Sequence, residues 1–149
     1  RVMIEQCKAR GLDVIEGDVL DYLRSISDAS LGAVTGFHII EHLPFKILMQ
    51  LFDEVVRVLK PGGMVIWETP NPSNVLVGSN TFYLDPTHRN PLPSSLIQFL
   101  AESRGLCQVK IMKVNPYPEH YRVKGADLAE RFNDYFYGEQ DYSVIGYKA

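Results

Sequence analysis

The sequence is short of most features that would take it away from ordinary globular proteins. Only two of its 149 residues are cysteine, Cys7 and Cys107. They lie far apart and in no metal-ligand spacing, which excludes a disulfide framework and points to reduced thiols in a cytoplasmic protein. Surplus positive charge is missing too. Fifteen lysines and arginines against 18 aspartates and glutamates leave a formal net charge of −3, which speaks against nucleic acid or an anionic membrane as main partner. No apolar run approaches the roughly 20 residues of a membrane span, and the start does not read as a signal peptide. Repeats and low-complexity segments are also absent. The chain opens on Arg1 rather than methionine, so an upstream segment is expected.

What is present suits one α/β domain over residues 1–149, with 46% hydrophobic and 22% charged residues and length enough for a real core. Its centre is FHIIEHLPFKILMQLFDEVVRVLKPGGMVIWETPNP. An apolar strand, Leu31–Phe37, runs into the polar cluster His38, Glu41 and His42. Gly32 and Gly36 interrupt that strand, and a glycine at a strand's end suggests a close backbone approach to a ligand. Pro44 opens a helix. Phe45, Leu48, Leu51, Phe52, Val55 and Leu59 then make an apolar stripe, expected to face the sheet. Lys60-Pro61-Gly62-Gly63 stops the helix, and the strand Met64–Trp67 follows. Strand, helix and strand over this span predict a right-handed βαβ unit on a parallel sheet. Ligands in such sheets bind outside the carboxyl ends of the strands.

Around this unit, Val2–Arg10 reads as a helix capped by Gly11, Asp13–Asp18 as a short strand, and Val19–Ile26 as a helix or turn. Asn71–Asn90 is long, polar and turn-rich, and predicts a functional lid. Pro93–Arg104 is helical by pattern with Gly105 as cap, Cys107–Val114 a strand, Lys124–Tyr137 a helix and Asp141–Lys148 a closing antiparallel strand.

Gly17-Asp18, the strand ending in Phe37-His38-Ile39-Ile40-Glu41-His42-Leu43, and Leu59-Lys60-Pro61-Gly62-Gly63 before another strand together resemble the class I S-adenosylmethionine-dependent methyltransferases. Asp85-Pro86-Thr87-His88-Arg89-Asn90-Pro91 is similar to methyltransferases of bacterial surface-polysaccharide synthesis. The resemblance implies a Rossmann-like sheet of order 3-2-1-4-5-7-6 with an antiparallel last strand. Asp13–Asp18 maps onto strand 3, Leu31–Phe37 onto 4, Met64–Thr69 onto 5, Cys107–Val114 onto 6 and Tyr142–Lys148 onto 7. Strands 1 and 2 have no counterpart, and no G-x-G-x-x-G turn occurs. A strand left without its neighbour is a template for pairing between chains, so a homo-oligomer through the exposed sheet edge is expected.

The resemblance also assigns roles. S-adenosylmethionine would bind through Asp18, with the Val19 backbone beside it, and through Phe37 and His38. An N-cap on the helix after it is the second role open to Asp18. Histidines titrate near neutral pH, so His38, His42 and His88 are candidates for catalytic proton transfer. Glu68, Asn71, Tyr83, Asp85 and Arg89 are candidates to bind a saccharide or other small-molecule acceptor, with Tyr117, His120 and Tyr121 capping the same cleft. His38-Ile39-Ile40-Glu41-His42 also spells the H-x-x-E-H zinc-peptidase pattern. That pattern needs both histidines on one helix face and a third ligand downstream. Here a strand enters it and Pro44 follows, so no metal ligand is assigned. Two functions remain in view: a methyltransferase fragment acting on oxygen, and a non-catalytic scaffold of the same fold used for oligomerisation or binding.

Overall fold

The computed structural model describes residues 2–149. Four strands, β1 (Leu31–Phe37), β2 (Leu59–Pro70), β3 (Leu106–Pro116) and β4 (Glu139–Lys148), make one sheet of order β1-β2-β4-β3. The β1–β2 pair is parallel, while β4 runs antiparallel to both β2 and β3. This is the 4-5-7-6 portion of the expected sheet, with the last strand antiparallel. Six helices accompany it among the described residues: α1 (Val2–Ala9), α2 (Val19–Ser25), α3 (Phe45–Val58), α4 (Val75–Ser79), α5 (Ser94–Ser103) and α6 (Asp127–Phe136).

The crossover helix α3 is explained by its stripe. Leu48, Leu51, Phe52, Val55 and Val58 recur at helical spacing and are all buried. They pack towards β2, where the Phe52 and Trp67 rings lie 5.8 Å apart. Pro44 starts the helix, its carbonyl accepting from the N–H groups of Ile47 and Leu48 at 2.8 and 2.9 Å. Arg57 ties α3 to the end of α2 by donating to the carbonyls of Leu23 and Ile26 at 2.8 and 2.9 Å. The Leu23 carbonyl also accepts the Ile26 N–H that closes α2 at 3.0 Å, so Arg57 reinforces that helix end. Buried Tyr142 on β4 reaches under the core to donate its hydroxyl to the Leu92 carbonyl at 2.7 Å.

Four expectations need correction. Asp13–Asp18 is not a strand. Its residues are largely exposed and no neighbouring strand offers a ladder, so the β-prone run Val14-Ile15 has nothing to pair with. The sheet edge on that side belongs instead to β1, which pairs only with β2, while β3 forms the opposite edge. Lys60-Pro61-Gly62-Gly63 does end α3, but it lies inside β2 as an irregularity. Leu59 pairs with Leu31 and Met64 with Ala33, so the extra residues bulge out and Gly62 takes a φ of 74°. Asn71–Asn90 is no open loop. It folds into α4 and a 3-10 turn at Thr81–Leu84, with Asn74 capping α4 through the N–H groups of Leu76 and Val77. Finally, Gly36 makes room for protein rather than ligand, because a Cβ there would stand 2.4 Å from the Trp67 ring.

Candidate active site

The carboxyl ends of β1 and β2 and the start of β4 converge on His38. The chain leaves β1 through His38 in the left-handed region, at φ 52°, while its N–H still bonds the Glu68 carbonyl at 2.9 Å. A non-glycine residue held in that conformation carries strain, and such residues cluster at functional sites. Fully buried Ile40 then anchors a 3-10 turn, Ile40–His42. That anchor directs the Glu41 side chain inward and leaves His38 at the surface.

Three carboxylates surround the His38 ring. Nδ1 lies 3.2 Å from Glu41 Oε1, and Nε2 lies 3.9 Å from Glu68 Oε1 and 4.0 Å from Asp141 Oδ1. The ring is 47% exposed while the Glu41 carboxylate is fully buried. Thr69 Oγ1 donates to Glu41 Oε2 at 2.9 Å, but Oε1 meets no donor in hydrogen-bond alignment. A buried carboxylate oxygen without a partner is costly. Burial first, and the nearby Glu41 charge second, push the Tyr142 phenol above its usual range.

His42 and His88 stand on the other side of Glu41 with their tautomers fixed. His88 Nδ1 lies 2.6 Å from the Phe82 carbonyl, which can only accept, so Nδ1 carries the proton. Asp85 is held below the usual carboxylate range, chiefly by the Thr87 hydroxyl and then by the Thr87 N–H. It is therefore an ionised acceptor, and Thr87 donates to Asp85 Oδ1 at 2.6 Å. The Thr87 oxygen, 2.9 Å from His42 Nδ1, then accepts from that nitrogen. Nε2 is then the nitrogen of each ring that no protein hydrogen bond holds.

The other predicted residues divide. Glu68 stays at the site, accepting from Ser143 through Oε2 at 2.9 Å. Arg89 clamps the Ile40–His42 turn, its N–H on the Glu41 carbonyl and its Nε on that of His42. Asn71 is buried, and its amide bonds Ser73 N–H and the Glu139 carbonyl, so it shapes the wall. Tyr83 packs edge-on against Phe82 and is exposed. Tyr117 and Tyr121 gather about Tyr137, with His120 stacked on Tyr121, rather than about His38. Thr87 and Asp141 complete the site, and neither was singled out in the sequence. The signal for Thr87 was the Asp85-x-Thr87 spacing, which forms a turn through Thr87 N–H and Asp85 Oδ1 at 2.8 Å.

Asp18 takes its capping role, with Oδ1 accepting from Leu20 and Asp21 N–H at 2.8 and 3.2 Å. Beside it, Asp13, Ile15, Gly17, Val19 and Tyr22 line a hollow of about 350 Å³. Phe37 is exposed at the end of β1.

Residues 1–67 match the methyltransferase domain family. The "probable S-adenosylmethionine-dependent methyltransferase" of Mycolicibacterium smegmatis is 33% identical over 94 residues, which is 63% of this chain and 35% of that protein. The chain thus spans about a third of that relative's length. A SAM-dependent methyltransferase from Archaeoglobus fulgidus superposes with a TM-score of 0.92 at 28% identity, over 99% of this chain and 72% of the other. Haemonchus contortus phosphoethanolamine N-methyltransferase 2, in complex with S-adenosyl-L-methionine, shares the fold at a TM-score of 0.59 and 16% identity, over 83% of this chain and 34% of the other. No helix of the described residues is long and apolar enough to cross a membrane.

Proposed function

We propose, for a chain that carries the class I methyltransferase fold, S-adenosylmethionine-dependent methyl transfer to a hydroxyl oxygen of a saccharide or other small molecule. The observation that carries this reading is the left-handed His38 at the strand end, ringed by Glu41, Glu68 and Asp141. The hollow at the start of α2 fits the cofactor's adenine. Ile15, Val19 and Tyr22 offer apolar contact, and Asp18 has committed only Oδ1 to the helix, leaving Oδ2 for an amino group. Phe37 and His38 would border the methionine end. When bound, the cofactor supplies an electrophilic methyl group on sulfur.

The chain's own part is positioning and one proton. His38 takes the acceptor's hydroxyl proton at Nε2, and Glu68 and Asp141 stabilise the imidazolium so formed. Glu68, Asp85, Tyr83 and the terminal nitrogens of Arg89 are assigned to the acceptor's other polar groups. His42 and His88, lying behind Glu41, support this arrangement rather than acting as the base.

Calorimetric titration with S-adenosylhomocysteine is the test, followed by transfer of labelled methyl to a panel of saccharide and phenolic acceptors. One-to-one binding is expected, and His38→Gln should lower the transfer rate about 10²-fold or more, a larger loss than the weakening of that binding from the ring removed beside the methionine end. Absence of binding would overturn the reading.

A further inference from the structure

We propose that Glu41, His42 and His88 form a binding site for a divalent transition-metal ion, with positions left open for an exogenous oxygen ligand. One ligand atom from each of the three residues lies within 4.8 Å of the other two, and His88 Nε2 is 4.0 Å from Glu41 Oε1. Clustering alone would be weak evidence, since polar groups gather at strand ends for many reasons. Three features of this cluster, the last two resting on the same contacts, point to a ligand.

The first is Glu41 Oε1. It is buried and makes no hydrogen bond, with His38 Nδ1 at 3.2 Å and His88 Nε2 at 4.0 Å. A buried carboxylate oxygen left without a hydrogen bond is unfavourable unless a cation completes it. The second is the tautomer of both rings. His88 Nδ1–H is spent on the Phe82 carbonyl and His42 Nδ1–H on Thr87, which leaves Nε2 of each ring as the nitrogen free to ligate. The third is what stands behind the rings. A ligating histidine typically donates its second N–H to a carbonyl or, directly or through a relay, to a carboxylate. Phe82 and the Thr87–Asp85 pair supply one of each.

Two imidazoles and one carboxylate favour zinc, cobalt, nickel or ferrous iron over magnesium or calcium, which prefer all-oxygen sites. Ligand atoms bound at about 2.1 Å in a tetrahedral site stand about 3.4 Å apart. The two rings therefore close inward by about an ångström. His42 ends a one-turn helix and His88 follows a surface turn, so both can make that movement. Three protein ligands leave at least one position open, the pattern of a reactive rather than a purely structural site. An acceptor hydroxyl bound there would lose its proton more readily. That consequence rests on the methyltransferase reading; the metal site does not.

The test uses the 149-residue chain, free of any histidine tag and stripped of metal, titrated with Co²⁺ while its visible ligand-field absorption is followed. One equivalent should bind with intense bands, and Zn²⁺ should displace it. His42→Ala and His88→Ala should each weaken binding about tenfold or more, and Thr87→Val less than either. His120→Ala, at the distant Tyr121, should change nothing. Glu41→Gln should abolish binding, and if that variant fails to fold the two histidine variants decide alone. Bands that survive both His42→Ala and His88→Ala, or no bands in the parent chain, would overturn the proposal. Homocysteine-cofactor binding measured on the same sample separates the two readings. Cobalt without it leaves the metal site standing and removes the transferase; the reverse removes only the metal.

Discussion

The strand-end cluster and the amino-terminal flank are built on opposite principles. At the cluster, Glu41, Asn71 and Asn74 are buried polar side chains, and almost every polar atom is used: Thr69 on Glu41, Asn71 on the Glu139 carbonyl, Asn74 on that of Gly138. In the flank, residues 2–18, α1 buries no residue at all, and Val2, Met3, Leu12 and Ile15 are exposed. Isolated helices this short are marginal in water. The cofactor-facing side of the proposed site is thus open, while the acceptor-facing side is set before any ligand arrives. Preorganisation of that kind lowers the entropic part of a transfer barrier.

The sharpest way to expose the contrast is to remove comparable apolar side chains from the two regions. Phe52→Ala, under the Trp67 ring, should cost about 3–5 kcal/mol in urea unfolding. Ile15→Ala should change stability by less than about 0.5 kcal/mol. Equal losses would mean that the flank is as firmly packed as the core.

Tyr142→Phe probes the bonded side at its base. It leaves the Leu92 carbonyl without its donor and should cost about 1–2 kcal/mol near neutral pH. The pH dependence carries a definite sign. Because the folded phenol ionises only above the unfolded value near 10, the unfolded chain holds fewer protons than the native one at higher pH. Stability is then fully present below about pH 10 and falls by up to about 1.4 kcal/mol per pH unit above it. Tyr142→Phe should flatten that alkaline fall, measured by unfolding at pH 9, 10 and 11.

Asp18→Ala tests the helix cap at the end of the flank. Loss of the cap should cost about 1 kcal/mol, less than either core change. On the cofactor reading it should also weaken homocysteine-cofactor binding, and Asp18→Asn, which keeps a capping oxygen, should separate the two effects.

The difference between the regions also explains what the sequence could and could not show. Elements defined by their own periodicity were legible: the α3 stripe, the Pro44 start and the glycine stops fall where the residues put them, and so does the parallel β1-α3-β2 unit, whereas the order of the other strands came from the resemblance. Strand membership for Asp13–Asp18 was not, because a ladder depends on a partner rather than on Val14-Ile15. Asn71 and Asn74 resemble ligand groups in a sequence, yet their amides bind backbone 64 to 68 residues away, a pairing that no local pattern encodes. Gly36 shows the same limit, since the Trp67 ring that requires it sits on another strand. His38 and Glu41 could be picked out as candidates because the strand ends there. The tautomers of His42 and His88 were not, since they depend on Thr87 and on a backbone carbonyl.

His38 offers the finest test. Its left-handed backbone is strained for a side chain with a Cβ, whereas glycine adopts that conformation freely. Glycine also raises the entropy of the unfolded chain, which offsets part of the relief. His38→Gly should therefore leave stability within about 1 kcal/mol of the parent, with a small gain as the favoured direction. The same change removes the ring between Glu41, Glu68 and Asp141, so methyl transfer should be lost as fully as in His38→Gln. A variant as stable as the parent and inactive would place the strain in the service of function, because folding alone would not select a histidine there. A large loss of stability would instead make His38 a structural tie between three carboxylates, and the site would have to be sought elsewhere along the strand ends.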